Sequence, residues 1–372
     1  MMRISKNKRF SLLARLVIIA GFILFPFSST NHPAVAQTGL DEYPTYLPVV
    51  MKDSFSGFST NSKFVGIYIR AFWTEDNVKL YLPPADALAG KKHSVIGTFA
   101  SFMDANQDYN LGYQLESLWL SGYLTFVNFP SPWTAYDIAS GKYDTYLQNT
   151  ANAYFDWVNQ GGGRIAFLAP LPEMNGCWTS YGCTPTNFKL AYKHIQTIFT
   201  QQGATRDKVW WVFAPNGGSI TGNEFEKYYP GDNVVDIVAF SSYNYGFCHV
   251  AHPWERWQNY DTLYEPFLDR MHVMAPGKPI IIAQTGTTAE YQSAGENNVP
   301  QKNIWLKVNY EYLSQQPQFL GILYFDYNQT GYPDYKCNWR ILPGNTFTGY
   351  TEGVASPPYQ YLDAADLQSI VP

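Results

Sequence analysis

The sequence predicts an α/β fold, a single (β/α)₈ TIM barrel, from three observations. Eight short apolar runs recur at 64–69, 94–99, 123–127, 165–169, 209–213, 235–240, 279–283 and 319–325. They are rich in Val, Ile, Phe and Tyr and do not alternate with polar residues, which marks strands buried on both faces in a parallel sheet. Stretches of helical period lie between most of them. The length left after an atypical N-terminal region, about 310 residues, suits one large barrel domain.

The N-terminal region comes first. Arg3, Lys6, Lys8, Arg9 and Arg15 precede an apolar stretch at 16–27, and Ala34-Val35-Ala36 offers a small-x-small cleavage site. A basic end, a short apolar core and such a site predict a secretory signal peptide over 1–36. Residues 37–60, rich in Ser, Thr, Pro and Gly, are expected to form a linker or extended arm, and the barrel then occupies 61–372. After the second strand, Asp104, Asn106, Asp108 and Asn110 copy the start of a calcium loop. Tyr109 replaces the glycine and Leu115 the glutamate that such a loop needs, so it is read as a polar loop. The stretch 143–159 places Tyr143, Leu147, Ala151, Tyr154 and Trp157 on one helical stripe. The stretch 188–199 does the same with Phe188, Ala191, Tyr192, Ile195 and Phe199, and its His194 is read as a packing or surface residue. Gly161-Gly162-Gly163 precedes a strand, which makes it a helix-to-strand turn and no phosphate cradle.

Losing 1–36 would remove five of 25 basic residues and none of the 30 acidic ones, taking the net charge from −5 to −10. An acidic exported chain is a poor partner for nucleic acid or, after cleavage, for anionic membranes. It is expected to be secreted and monomeric. Four cysteines in such a chain predict two disulfides. Cys177 and Cys183 share one short loop and are paired, leaving Cys248 with Cys337. His249 and His252, beside Cys248, sit in a loop flanked by Pro and Gly and are read as loop residues. No metal and no cofactor is expected.

Chemistry on such a barrel sits at the C-terminal ends of the strands. There the sequence places Glu173 and Asn175 after the fourth strand, Asn216 after the fifth, and Tyr243 and Asn244 at the end of the sixth. Gln284 stands at the end of the seventh and Asp326 at the end of the eighth. Trp73, Trp133, Trp178, Trp210, Trp211 and Trp339 crowd the same edge in a chain that is 17% aromatic and 15% charged. An acid, several amides, aromatic faces and no basic cluster describe a carbohydrate cleft.

The segments APLPEMNGCWTSYG, VWWVFAPNGG, EKYYPGDNVVDIVAFSSYNY, GKPIIIAQTGTT and LYFDYNQTGYPDYKCNWRI resemble, in order and spacing, glycoside hydrolase family 26. IASGKYDTYL is similar too, and the resemblance covers about 60–345. This is a clan of retaining (β/α)₈ β-glycanases that includes endo-β-1,4-mannanases. The resemblance implies that Glu173 is the general acid/base and that position 284, 111 residues on, holds the nucleophile. It implies that Tyr243 bonds the nucleophile and that Asn216 lies near the scissile bond. Trp178, Trp211 and Trp339 are then candidate sugar platforms, and a polysaccharide or oligosaccharide is the expected partner.

Two departures stand out. The histidine that family mannanases carry before the acid is Pro172 here, and the nucleophile position holds Gln284 in place of Glu. An amide keeps the shape of a carboxylate but cannot form the usual glycosyl ester. Three explanations compete. One is a Glu→Gln change in an otherwise active enzyme, and another is a relative that binds glycan without turnover. The third is another carboxylate, Asp326 or Glu290, standing in, although Asp326 is more readily read as a structural hydrogen-bond partner.

Overall fold

The computed structural model describes residues 57–69, 71–102, 111–218, 222–331 and 336–372, all within one unit spanning Pro48–Pro372. The expected signal peptide, most of the expected linker and the calcium-like stretch 104–110 lie outside the described residues. All eight apolar runs form strands: β1 (Phe64–Ile69), β2 (Val95–Phe99), β3 (Leu124–Phe129), β4 (Phe167–Pro170), β5 (Trp210–Phe213), β6 (Ile237–Asn244), β7 (Ile280–Thr287) and β8 (Phe319–Asp326). Each pairs in parallel with the next. β8 closes onto β1 from Phe64↔Gly321 to Ile69↔Asp326, which completes the barrel.

Around it run α1 (Glu75–Ala89), α2 (Leu111–Leu120), α3 (Ala135–Ala139), α4 (Asp144–Val158), α5 (Pro185–Gln201), α6 (Tyr260–Leu263), α7 (Glu265–Met274), α8 (Val299–Ser314), α9 (Thr348–Val354) and α10 (Ala364–Ile370). α4 buries Leu147, Ala151, Tyr154 and Trp157 of its expected stripe, with Tyr143 half-buried at its N-cap, and α5 buries Phe188, Ala191, Tyr192, Ile195 and Phe199 as its period predicts. His194 reaches from α5 to Asp144 at the start of α4.

Two cores result. An outer one lies between strands and helices and includes Val65, Leu168, Trp211, Phe240 and Ile282. An inner one fills the barrel with Phe64, Phe126, Phe167 and Trp210, joined by Leu362, Leu367 and Val371 from the C-terminal segment. The Leu362 N–H donates to Ser94 Oγ at the start of β2, so α10 seals the end of the barrel opposite the strand C-termini. Both disulfides form as expected, Cys177–Cys183 and Cys248–Cys337.

β7 departs from the sequence reading. It continues four residues past Ala283, through Thr287, because its polar end stays paired with β6 as far as Asn244↔Thr287. The pairing also slips: Phe240 faces Ile282, but Ser241 faces Gln284, so Ala283 is an inserted bulge residue. Ile281 and Ala283 belong to the inner core and Ile280 and Ile282 to the outer one. Strict alternation would therefore send residue 284 outward. With the bulge it follows Ala283 inward, and Thr285 takes the outward place, its hydroxyl bonded to Tyr264 at 2.8 Å. Bulges beside active sites re-aim side chains in this way.

Candidate active site

Glu173 is held on a strained turn. After β4 ends at Pro170, Leu171 and Glu173 both adopt left-handed backbone, with φ of 55° and 57°. For residues with a Cβ this costs roughly 1–3 kcal/mol each and persists only where the surroundings enforce it. Here they do. The Leu171 N–H donates to Phe129 O of β3 at 2.9 Å and the Glu173 N–H to Ala214 O after β5 at 2.8 Å. Tyr181 Oη donates to Pro172 O at 2.8 Å, and the Cys177–Cys183 disulfide closes the following loop. The turn is fastened to both neighbouring strands, and it presents the carboxyl at the barrel mouth.

That carboxyl faces three polar groups: the Ser241 hydroxyl, the Asn216 amide and the Trp178 indole N–H. Burial raises Glu173 above the ordinary glutamate range, and the three partners pull the other way. The Asn216 side chain is itself oriented. Its Oδ1 accepts from the Gly218 N–H at 2.6 Å, which leaves the NH₂ for Glu173. Asn175, 1% exposed, locks the backbone of Asn216 from both sides: Asn175 Oδ1 accepts from Asn216 N at 2.8 Å, and Asn175 Nδ2 donates to Asn216 O at 2.9 Å. A Cβ added at Gly176 would stand 2.2 Å from the Trp178 ring, so any larger residue there would displace that ring. Tyr68 of β1 is buried and accepts from Asn128 Nδ2 at 2.6 Å; burial pushes its phenol well above the usual tyrosine range, the Asn128 hydrogen bond opposes this, and the Glu173 charge adds a smaller push upward.

Gln284 follows Ala283 toward the barrel interior at the end of β7. It is 6% exposed, its Oε1 accepts from Tyr243 Oη at 2.8 Å, and it is registered with Ser241, the residue whose hydroxyl faces Glu173. Ser241 of β6 therefore adjoins both residues, its hydroxyl beside the Glu173 carboxyl and its backbone in register with Gln284. The Tyr243 ring rests against Trp339, Phe325 and Tyr245 at centroid distances of 5.2, 5.8 and 6.0 Å.

Several expected residues lie elsewhere. Trp211 is no sugar platform: it faces outward in β5, edge-on to Phe199 and Tyr192 of α5, in the outer core. Its neighbour Trp210 points inward but deep in the barrel, against Phe167 at 4.6 Å. Trp73 and Trp133 also belong to the outer core. Trp339 is 1% exposed, supports Tyr243 and donates its indole N–H to Gln329 Oε1, so it offers no open face. Asp326 is 3% exposed and accepts from the Ile341 and Leu342 N–H groups, with Arg340 and Lys302 as its nearest cations. It is a structural anchor and neither a stand-in nucleophile nor a sugar ligand. Glu290 lines a polar cavity of about 330 Å³ with Lys302, Lys336 and Arg340, among whose lining residues neither Glu173 nor Gln284 appears. Sequence reasoning missed Ser241 and Tyr68. For Ser241 the signal was present, two residues before Tyr243 on the same strand face.

Residues 145–304 match the model of Glycosyl hydrolase family 26. The chain is 27% identical over 239 residues to Endoglucanase H of Acetivibrio thermocellus, covering 59% of this chain and 24% of that one. It is 28% identical over 166 residues to a mannan endo-1,4-beta-mannosidase of Bacillus subtilis, covering 37% and 44%. The chain thus spans less than half the length of these relatives. A β-mannanase from a symbiotic protist of the termite Reticulitermes speratus, complexed with gluco-manno-oligosaccharide, superposes with a TM-score of 0.57 at 13% identity, over 83% of this chain and 90% of that one. A β-mannanase from Bacteroides ovatus gives 0.56 at 13%, over 81% and 90%. These structures bear on the fold alone, and all of them share the barrel.

Proposed function

We propose, from the premise that this chain belongs to glycosyl hydrolase family 26, that its barrel mouth takes a β-linked glycan of the mannan or glucan type, with Glu173 as the acid/base and position 284 as the nucleophile position of a retaining site. A retaining hydrolase needs two carboxyl groups about 5–5.5 Å apart, one to protonate the leaving oxygen and one to attack the anomeric carbon. Glu173 suits the first task, since burial raises its proton affinity above the ordinary glutamate range. Gln284 occupies the second place with the hydrogen bond a carboxylate would use, from Tyr243. The single observation that carries this reading is that arrangement: Gln284 bonded to Tyr243 and registered with Ser241, whose hydroxyl faces Glu173. The relatives' names, an endoglucanase and mannan endo-1,4-beta-mannosidases, support the substrate class.

The amide makes a second reading specific: as it stands, the chain binds glycan and protonates it poorly or to no effect, because no carboxylate is present to form the ester intermediate. Gln284→Glu decides between them. Assayed beside the unaltered chain on mannan, mixed-linkage glucan and xylan, it is expected to raise turnover by about three orders of magnitude. Equal activity of the two forms would place the nucleophile elsewhere and overturn the assignment of position 284. Inertness of both, with oligosaccharide binding retained, would establish the glycan-binding reading. Export is part of the proposal, supported by the basic, apolar, small-residue order of 1–36 and by the two disulfides.

A further inference from the structure

The loop that leaves β6 carries a feature the glycan site does not use. His249, His252 and Glu255 each offer one ligand atom, and the three atoms lie within 4.8 Å of one another. Among the described residues this is the cluster of histidine, cysteine and carboxylate groups that converges so closely. His249 Nδ1 stands 2.8 Å from Glu255 Oε2, and His252 Nδ1 stands 3.5 Å from Glu255 Oε1. Donors around a tetrahedral ion with ligand bonds of about 2.0–2.1 Å are spaced at about 3.4 Å, so with all three atoms within 4.8 Å of one another no separation has to close by more than about 1.5 Å to admit one. The sequence alone showed the two histidines at i, i+3. Glu255, three further on, completes the set only because the loop coils back on itself, the His252 N–H donating to His249 O and the Glu255 N–H to His252 O.

The rings are also held from behind. Tyr245 stacks on His249 at 4.9 Å and Trp254 on His252 at 4.9 Å. The Cys248–Cys337 disulfide ties the residue before His249 to the loop after β8. His249 is 5% exposed, whereas the His252 side chain is 42% exposed, so one side of the cluster is fixed in the protein and the other is open to solvent. The nearby cation is turned away: Arg256 donates to the Pro253 and Glu255 carbonyls and lies over the Phe247 ring. Two imidazoles and one carboxylate, with room for water, form a donor set for a borderline transition metal and a poor one for Mg²⁺ or Ca²⁺, which prefer oxygen.

We propose that His249, His252 and Glu255 bind a Zn²⁺ ion at the barrel rim, independently of whether the mouth hydrolyses glycan. Coordination through His249 Nδ1 would replace its hydrogen bond to Glu255 Oε2. It would also fix Tyr245, the ring between His249 and Tyr243.

The test uses the full chain, stripped with EDTA and titrated with ZnCl₂ by calorimetry, with MgCl₂ as control. One Zn²⁺ per chain and no Mg²⁺ response is expected, together with a rise in melting temperature that EDTA reverses. His252→Ala and Glu255→Gln should each weaken Zn²⁺ about tenfold or more. Their metal-free melting temperatures, compared with that of the metal-free wild type, show whether they fold, and Co²⁺ bound to the wild type provides a visible-absorption signature that needs no variant. Absence of stoichiometric Zn²⁺ binding by the wild type overturns the proposal. So does Zn²⁺ affinity that survives in both variants, since the ion would then sit elsewhere.

Discussion

Burying the Glu173 carboxyl makes its proton harder to remove, and that has a direct consequence for stability. A group whose folded pKa is raised favours the fold fully below its unfolded pKa, and that contribution is lost as pH rises through the folded value. Glu173→Gln removes the titration. The variant should therefore gain stability relative to the parent at pH 8 and lose that advantage at about pH 3, a difference that urea melts at the two pH values would show. Asn175 offers a second check at this scale. Asn175→Ala leaves a part-buried backbone N–H and C=O of Asn216 without partners, and it should lower stability by about 1–3 kcal/mol in the same melts. Glu173 and Gln284 were legible in the sequence because they end apolar runs and fall within recognisable segments. The fate of Trp210 and Trp211 was not. In a strand buried on both faces nothing alternates, so sequence does not say which of two adjacent tryptophans faces the helices. The Asn175–Asn216 lock was equally hidden, since it joins a side chain to backbone 41 positions away.

The strands themselves were the most legible elements, because two-sided burial writes an unbroken apolar run. Their polar ends were not: β6 and β7 each run on through residues that look like loop, held by the ladder between them. The bulge at Ala283 leaves no mark in composition, yet it decides which way residue 284 points. α8 carries a comparable surprise in Lys302, 1% exposed, with its Nζ bonded to Asn338 O and Arg340 O. Burial pulls this ammonium down to about 7, with Asp326 acting in the opposite direction. The unfolded chain then holds a proton that the folded chain releases between about pH 7 and 10.4, so this residue makes stability rise with pH across that window. Lys302→Met should flatten that rise, measured as melting temperature against pH, whatever its effect on stability at a single pH.

At the scale of the whole molecule, the Cys248–Cys337 bridge joins the loop after β6 to the loop after β8 across 89 residues. Closing so long a loop restricts the unfolded chain by about 4–5 kcal/mol in the chain-entropy picture. Replacing both cysteines by alanine should lower the unfolding free energy by an amount up to that size. It should also loosen the Trp339–Tyr243 wall, which near-ultraviolet circular dichroism would report. The (β/α)₈ architecture was legible from length and rhythm, whereas the packing of Leu362, Leu367 and Val371 into the barrel core was not, since nothing in their short apolar pattern says what they cover.

That seal turns the barrel into a cup. No polymer can thread it; a glycan bound as proposed above would lie across the rim or dip one end in, and would leave the way it arrived. Under that proposal there is one opening for entry and exit, so short oligosaccharides should compete with long ones for occupancy of the mouth.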